Sequence, residues 1–325
     1  MEHSTGIVCP LMVADIGQVL PMARLLQQRG GTGRLWLGQS LRVETHQVFA
    51  ALTGMGVRIP MGSGVALAPL RHPYDAAMQA RSVAALSGMP YVAGIGPAAP
   101  EFQRSLRKDP YAAPLPAMRE YVSIMRRLLA DEHVDFAGDH YHVRGQLVPQ
   151  PHSGVELGLG VLRPRMARLA GAVADVAVTW MTPAHYVADT LVPALAEGAT
   201  AADRPRPRVA TMVHVAVARP GRDIRRTALA GAGAHLGAAH YTDMLRRAGV
   251  EAWPDDPAAG ADALVKSGVF VSGSADDIAR DLDAYRRSGV DEIALNPAGV
   301  IQSEGLGAAM TDLEEIFAAL DRLHG

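Results

Sequence analysis

The chain has 325 residues, with 49% hydrophobic and 20% charged side chains and a formal net charge of −2 at pH 7. That apolar fraction is enough to fill a sizeable core, and the near-neutral balance gives no electrostatic footing for nucleic acid or an anionic membrane surface. Cys9 is the single cysteine, which excludes an intramolecular disulfide and allows a reducing compartment.

The opening stretch MEHSTGIVCPLMVAD lacks a basic run before an apolar one, and no later stretch approaches the ~20 apolar residues of a membrane span. The expectation is a cytoplasmic protein. Residues 6–10 suit a first strand, and 15–29 a helix with Val19, Leu20, Ala23 and Leu26 on one face and Asp15 as N-cap. A strand at 34–38 and a helix at 44–55 follow, then a strand at 57–67 and a helix at 73–87 with Pro73 in its first turn. Further strands are expected at 91–96, 155–161, 175–180, 208–218 and 291–296, the last between helices at 274–288 and 306–323.

These strands are apolar throughout, as strands covered on both faces must be. Eight strand–helix repeats predict an α/β chain whose parallel sheet closes into a single (β/α)8 TIM barrel over 1–325. An open doubly wound sheet would carry a glycine fingerprint in its first turn, which is absent. Three segments interrupt the repeat: a proline-rich loop at 97–116, a hairpin at 131–152, and 220–267, read as two short helical stretches around the turn WPDDPAAG. Each is expected as an insertion at the C-terminal face of the barrel.

Five motifs in order carry a resemblance: MGSGVALAPLRHP, ALSG before YVAGIGP, VELGLGVLRPRMARL, ADVAVTW, and VSGSADDIARDLDAYRRSGVDEIAL. Together they resemble the luciferase-like monooxygenase superfamily, whose barrels use either reduced FMN or the deazaflavin coenzyme F420. The resemblance implies a tricyclic ring across the barrel mouth. Gly62, Ser63 and Gly64 are small enough to border such a ring, or simply relieve crowding in a barrel strand. It also implies a bulge with a non-proline cis peptide at Gly64-Val65. Gly94, Gly96 and Pro97 then border the ring or form only a strand-to-loop turn. Gly160, Val161 and Leu162 would offer backbone amides to a phosphate where a helix starts, and Arg163 is either a charged partner there or a solvated cation. Thr179 and Trp180 end a strand facing cofactor or substrate, and Trp180 equally suits rim packing.

Deazaflavin sugar-phosphate dehydrogenases of this superfamily place an Asp-His pair after the second strand and a glutamate after the fourth. Here those positions read Gln39-Ser40 and Ala98-Ala99, and Lys108 and Lys266 are the only lysines. The proton couple and the phosphate-gripping lysines are missing, so that chemistry is not expected. Gln39 is retained as a cofactor contact, Ser40 and His72 as candidate proton donors, and Glu101 as a candidate substrate contact. His72 alternatively caps the next helix. A metal is not expected: His140 and His142, with Asp139 and His152, lack a cysteine pair or a fourth converging ligand, and His235 and His240 miss i, i+4 spacing.

The leading expectation is therefore reduction, by reduced coenzyme F420, of an activated C=C or C=N bond in a natural product or modified peptide such as one bearing dehydroalanine. The arginine-rich, lysine-poor composition of a GC-rich genome favours that cofactor. An FMN monooxygenase fed by a separate flavin reductase is the alternative, and a non-catalytic cofactor-binding barrel is the third. A homodimer accompanies the resemblance.

Overall fold

The computed structural model describes residues 4–30 and 32–324. Its elements in chain order are β1 (Ser4–Cys9), α1 (Leu20–Gln28), β2 (Leu35–Leu37), α2 (Thr45–Gly54), β3 (Met61–Leu67), α3 (Pro73–Ser87), β4 (Tyr91–Gly96), α4 (Pro100–Leu106), α5 (Pro114–Leu129), β5 (Val134–Ala137) and β6 (His142–Gly145). There follow β7 (Val155–Gly160), α6 (Pro164–Val173), β8 (Val176–Trp180), α7 (Ala184–Tyr186), α8 (Val192–Ala201), β9 (Arg208–Val217), α9 (Ile224–Leu236), α10 (Ala239–Arg247) and α11 (Pro257–Lys266). The chain ends with β10 (Phe270–Gly273), α12 (Ala275–Arg287), β11 (Glu292–Asn296), α13 (Ala298–Glu304) and α14 (Leu306–His324).

Strands β1, β2, β3, β4, β7, β8, β9 and β11 pair in that order, all parallel, and β11 returns to β1. The eight close into the expected (β/α)8 barrel. Because side chains alternate along a strand, Val8, Trp36, Val92, Val176, Val178, Ala210, Met212 and Ala294 pack together in the lumen. Their sequence neighbours Leu35, Leu37, Ala93, Ala177, Val209, Val213 and Leu295 join the larger cluster under the helices.

At the N-terminal end of the lumen the filling is ionic. Arg34 Nε lies 3.2 Å from Glu292 Oε1, and Arg208 Nη2 donates to both oxygens of Glu156 at 2.8 and 2.7 Å. Trp36 Nε1 donates to Glu292 Oε1 at 2.7 Å.

Several elements depart from expectation. The helix expected from 15 to 29 is divided: a 3-10 turn, Ile16–Gln18, is closed by a capping box between Asp15 and Gln18, and α1 begins at Leu20. Pro21 cannot donate a backbone hydrogen bond, so the helix restarts there. The third strand begins at Met61 rather than 57, with Val57 N–H bonded back to Leu52 and Pro60 at the strand entry. The 220–267 segment holds three helices rather than two, because α9 ends at Leu236 with Gly237 as its C-cap and α10 starts at Ala239.

A ninth parallel strand, β10, pairs with the far half of β9, from Phe270 beside His214 to Gly273 beside Val217. At four residues, Phe270–Gly273 is too short to stand out as a strand in the sequence. The hairpin expected within 131–152 forms as β5 and β6, antiparallel. No helix among the described residues is long and apolar enough to cross a membrane.

Candidate active site at the barrel mouth

The lumen changes character toward the C-terminal strand ends. On β3, β4 and β7 the inward positions are Gly62, Gly64, Gly94, Gly96, Gly158 and Gly160, while β8, β9 and β11 end inward with Trp180, His214 and Asn296. One half of the mouth is thus bare backbone and the other half is rings and an amide.

The peptide Gly64-Val65 is cis, and the β3–β4 register shifts between Ser63 and Ala66. This turns the Val65 side chain over β4 and β7. A Cβ on Gly96 would lie 2.8 Å from Val65 Cγ2, and one on Gly160 3.4 Å from Val65 Cγ1. A Cβ on Gly94 would meet the Ser63 carbonyl at 2.1 Å. Glycine is needed at 94 and 96 so that the bulge can rest against β4. The Gln39 amide donates to the Val65 carbonyl at 3.1 Å and ties the end of β2 to it.

Other residues singled out from the sequence lie around this platform in different ways. Gln39 Oε1 accepts from Arg71 Nη2 at 3.2 Å, and the same nitrogen lies 3.0 Å from Glu44 Oε1. Burial works against the Glu44 carboxylate, but the bonds and charges of His46 and Arg71 outweigh it and hold it at about 2. Ser40 is buried, and its hydroxyl accepts the Arg42 amide at 3.2 Å while donating weakly to the Val13 carbonyl at 3.5 Å. His72 caps α3: Nδ1 accepts the Tyr74 amide at 3.2 Å and Nε2 lies 3.2 Å from the His142 carbonyl. Both candidate proton donors therefore have loop-holding bonds.

Ser63 and Thr179 occupy outward positions on their strands. Ser63 Oγ donates to the Gly94 carbonyl at 3.0 Å, and Thr179 Oγ1 to Thr211 Oγ1 at 2.7 Å. Their side chains lie on the helix side, so only their backbones border the mouth. The Pro97 carbonyl accepts from Gln103 Nε2 at 2.9 Å, which pins the loop before α4. Glu101 is exposed and paired with Arg104 at 3.0 Å.

The β7–α6 turn places Gly160, Val161 and Leu162 ahead of the α6 N-terminus, with Arg163 as its N-cap. The Val161 amide is already bonded to the Val178 carbonyl at 2.8 Å. Arg163 is half-exposed and lies 2.8 Å from Asp243 of α10. The anion-binding capacity of this turn rests on the free first-turn amides of α6 and on Arg163.

His214 and Asn296, which carry no local sequence signal, complete the other half. His214 is 1% exposed, and its Nε2 faces the Asn296 amide nitrogen at 3.1 Å. Asn296 Oδ1 accepts the Ala298 amide at 3.0 Å, so the network assigns the proton of a neutral His214 to Nδ1. Burial pushes His214 down to about 3, and burial followed by the charge of His240 pushes His235 down to about 4. The available signal was strand parity, since Ala210, Met212 and His214 share one face. Among the described residues no group of three or more His, Cys, Asp or Glu side chains is placed to hold a metal ion.

Eight parallel strands close a TIM barrel whose mouth, at the C-terminal strand ends where sites of such barrels sit, is bare glycine on one side and rings with an amide on the other. The luciferase-like monooxygenase family model matches residues 3–292, and the chain belongs to that family. A segment of 102 residues is 32% identical to the F420-dependent glucose-6-phosphate dehydrogenase of Mycobacterium tuberculosis. That match spans 31% of this chain and 30% of the relative, so it covers under a third of either. An F420-dependent secondary alcohol dehydrogenase solved with an F420–acetone adduct aligns over 98% of this chain and 99% of its own, with TM-score 0.77 at 16% identity. A monooxygenase from Streptomyces bottropensis aligns over 99% and 100% of the two chains, with TM-score 0.75 at 17% identity. These two likenesses establish the fold.

Proposed function

We propose that the protein is a coenzyme F420-dependent oxidoreductase that reduces an activated C=C or C=N bond in an uncharged small molecule or modified peptide, such as one bearing dehydroalanine. The observation that carries the reading is the bare half of the mouth. The Val65 bulge and the glycines of β4 and β7 leave a surface of backbone and one small apolar side chain, which suits a flat tricyclic ring. The local identity to F420-dependent dehydrogenases selects the deazaflavin among ring cofactors.

When bound, the reduced deazaflavin supplies the hydride. This chain's residues do the rest. Val65 backs the ring, Gln39 and Pro97 hold the loops at its edges, and the α6 amides with Arg163 face the phosphate. Trp180, His214 and Asn296 stand across the mouth, where they orient the acceptor and exclude water. Ser40 and His72 keep their loops in place, and the proton comes from water.

Sugar-phosphate oxidation is not part of the reading. Gln39-Ser40 and Ala98-Ala99 supply no acid–base couple.

The test is titration of the purified protein with coenzyme F420 and with FMN, followed by turnover of each reduced form with and without oxygen. Micromolar binding of coenzyme F420 and oxygen-independent oxidation of its reduced form in the presence of an unsaturated acceptor are expected. Tight FMN binding with oxygen-dependent turnover would overturn the reading in favour of a monooxygenase, and binding of neither would leave a non-catalytic barrel. The same reading includes a cytoplasmic homodimer, which light scattering at micromolar concentration checks for its assembly.

A further inference from the structure

Outside the barrel, α5, α6 and α8 enclose a groove that plays no part at the mouth. Gly171 of α6 and Gly198 of α8 set its shape. A Cβ on Gly171 would lie 2.2 Å from the Leu195 carbonyl oxygen, and one on Gly198 2.0 Å from that of Arg168. Only glycine lets two helix backbones come this close. With α6 drawn against α8, a groove of about 520 Å³ is left open between this pair and the N-terminal half of α5. Leu115, Pro116, Leu169, Ala172 and Ala201 supply its apolar floor.

The rim is basic. Arg119 of α5 and Arg165 and Arg168 of α6 line the groove, and Glu197 of α8 is the one acidic residue among the described residues that line it. Arg168 is paired with Glu197 at 2.6 Å. Arg119 and Arg165 are exposed, and neither forms an ion pair among the described residues. Three guanidiniums against one carboxylate give the groove a positive field on a chain whose formal net charge is −2.

An exposed arginine is at home in water, so the charges alone call for no ligand. An apolar floor between unpaired guanidiniums does, because a partner that covers the floor removes apolar surface from water while bringing carboxylates to the rim. The arrangement also selects the occupant. Arg165 and Arg168 are three residues apart and neighbours on one face of α6, while Arg119 stands on α5 across the floor. A fatty acid has one carboxylate, so it meets one side of the rim and leaves its chain half in water in an open groove. A helix with apolar residues on one face and carboxylates along both edges meets the floor and both sides together. From Arg165 to Ala172 α6 rises about 10 Å, which matches about two turns of such a helix.

We propose that the groove between α5, α6 and α8 is a docking site for a short acidic amphipathic helix of a partner polypeptide. Arg119 and Arg165 take the carboxylates at its two edges, and its apolar face covers Leu115, Leu169 and Ala172. The site lies in the helical layer, away from the strand ends, and stands whichever ring cofactor the mouth takes.

The experiment is fluorescence anisotropy on the full chain in about 0.1 M salt, where distant charges are screened. The probe is a fluorescein-labelled peptide of about twelve leucine and glutamate residues patterned as an amphipathic helix. Binding is expected in the range of about 10–100 μM, and about tenfold weaker both for a glutamine version and for a scrambled one of the same composition. Arg119→Glu combined with Arg165→Glu should weaken the acidic peptide about tenfold or more. The same reversal at Arg287 and Arg322, on α12 and α14 across the barrel, should change it less than about twofold. All four positions are exposed, and melting temperatures check that both variants fold. No binding of the acidic peptide, a glutamine or scrambled peptide that binds as tightly, binding that survives the groove reversal, or an equal loss in the distant variant would each overturn the proposal. Dodecanoate that displaces the peptide at an equal or lower concentration would assign the groove to a fatty acid and overturn it as well.

Discussion

Asn296 holds His214 across the top of the barrel: the Asn296 amide faces His214 Nε2 at 3.1 Å while its own oxygen is fixed by the Ala298 amide at 3.0 Å. Both residues are at most 1% exposed. Replacing Asn296 by alanine leaves an imidazole nitrogen and a backbone amide unsatisfied inside the lumen. A loss of about 2–4 kcal/mol in unfolding free energy is expected, read from urea midpoints at pH 7.5. A loss under about 0.5 kcal/mol would show that water replaces the amide without penalty.

Two of the depressed histidines, His214 and His235, make stability depend on pH in a defined window. Each is neutral in the folded protein, with His235 at about 4 and His214 at about 3, against an unfolded value of 6.5. Below 6.5 the unfolded chain binds protons that the folded chain does not, so stability is complete above that value and falls as pH drops toward 4. Urea midpoints measured from pH 7.5 to 4.5 should decline, and the decline should be shallower in His235→Phe. Equal slopes in the two proteins would place the pH dependence elsewhere.

Two glycines at the mouth separate folding from cofactor binding. A Cβ on Gly94 would meet backbone at 2.1 Å, whereas one on Gly160 would make ordinary contact with Val65 at 3.4 Å. Gly94→Ala is expected to cost about 3 kcal/mol or more, because the Ser63 carbonyl cannot move aside without disturbing β3. Gly160→Ala should melt within a few degrees of the parent yet weaken coenzyme F420 binding about tenfold, since its methyl stands at the mouth. Calorimetric melting paired with fluorescence titration distinguishes the two.

Arg163 tests the anion end of the site. Its half-exposed pair with Asp243 contributes little to folding, about 0–1 kcal/mol. Arg163→Ala is expected to leave the melting temperature nearly unchanged and to raise the coenzyme Kd about tenfold, with a weaker dependence on salt. An unchanged Kd would leave the α6 amides as the sole phosphate contact.

Ser40→Ala and His72→Ala probe whether either residue moves a proton. Both have structural bonds, so turnover within about twofold of the parent is expected alongside a stability loss of about 1 kcal/mol. A hundredfold fall in kcat with the coenzyme Kd unchanged would restore a catalytic role.

The barrel was legible because a strand covered on both faces must be apolar and a strand–helix repeat must close. The site was legible only where a motif fixed the backbone, as with Gly64-Val65 and the glycines of β4. Ser63 and Thr179 were placed at the mouth by proximity in sequence, yet strand alternation turns their hydroxyls to the helices. His214 was missed for the converse reason: a lone histidine in an apolar run carries no local signal, and only counting parity from Ala210 puts it inside. His235 and His240 were judged by spacing on one helix, but the break at Gly237 puts them on two, and Tyr241 joins them. Contacts of that kind depend on where separate loops meet.

The ionic layer beneath all this has a consequence for assembly. Glu292 on β11 is shared by Arg34 beside β2, Trp36 within β2 and Arg208 on β9. A one-residue slip in any of these strands would turn its charge out toward the helices and strand the others unpaired in the lumen. The layer thereby acts as a keyed joint that admits a single closure of the ring. With alignment fixed at the floor, the opposite rim is released from interlocking side chains and can be left bare on one side.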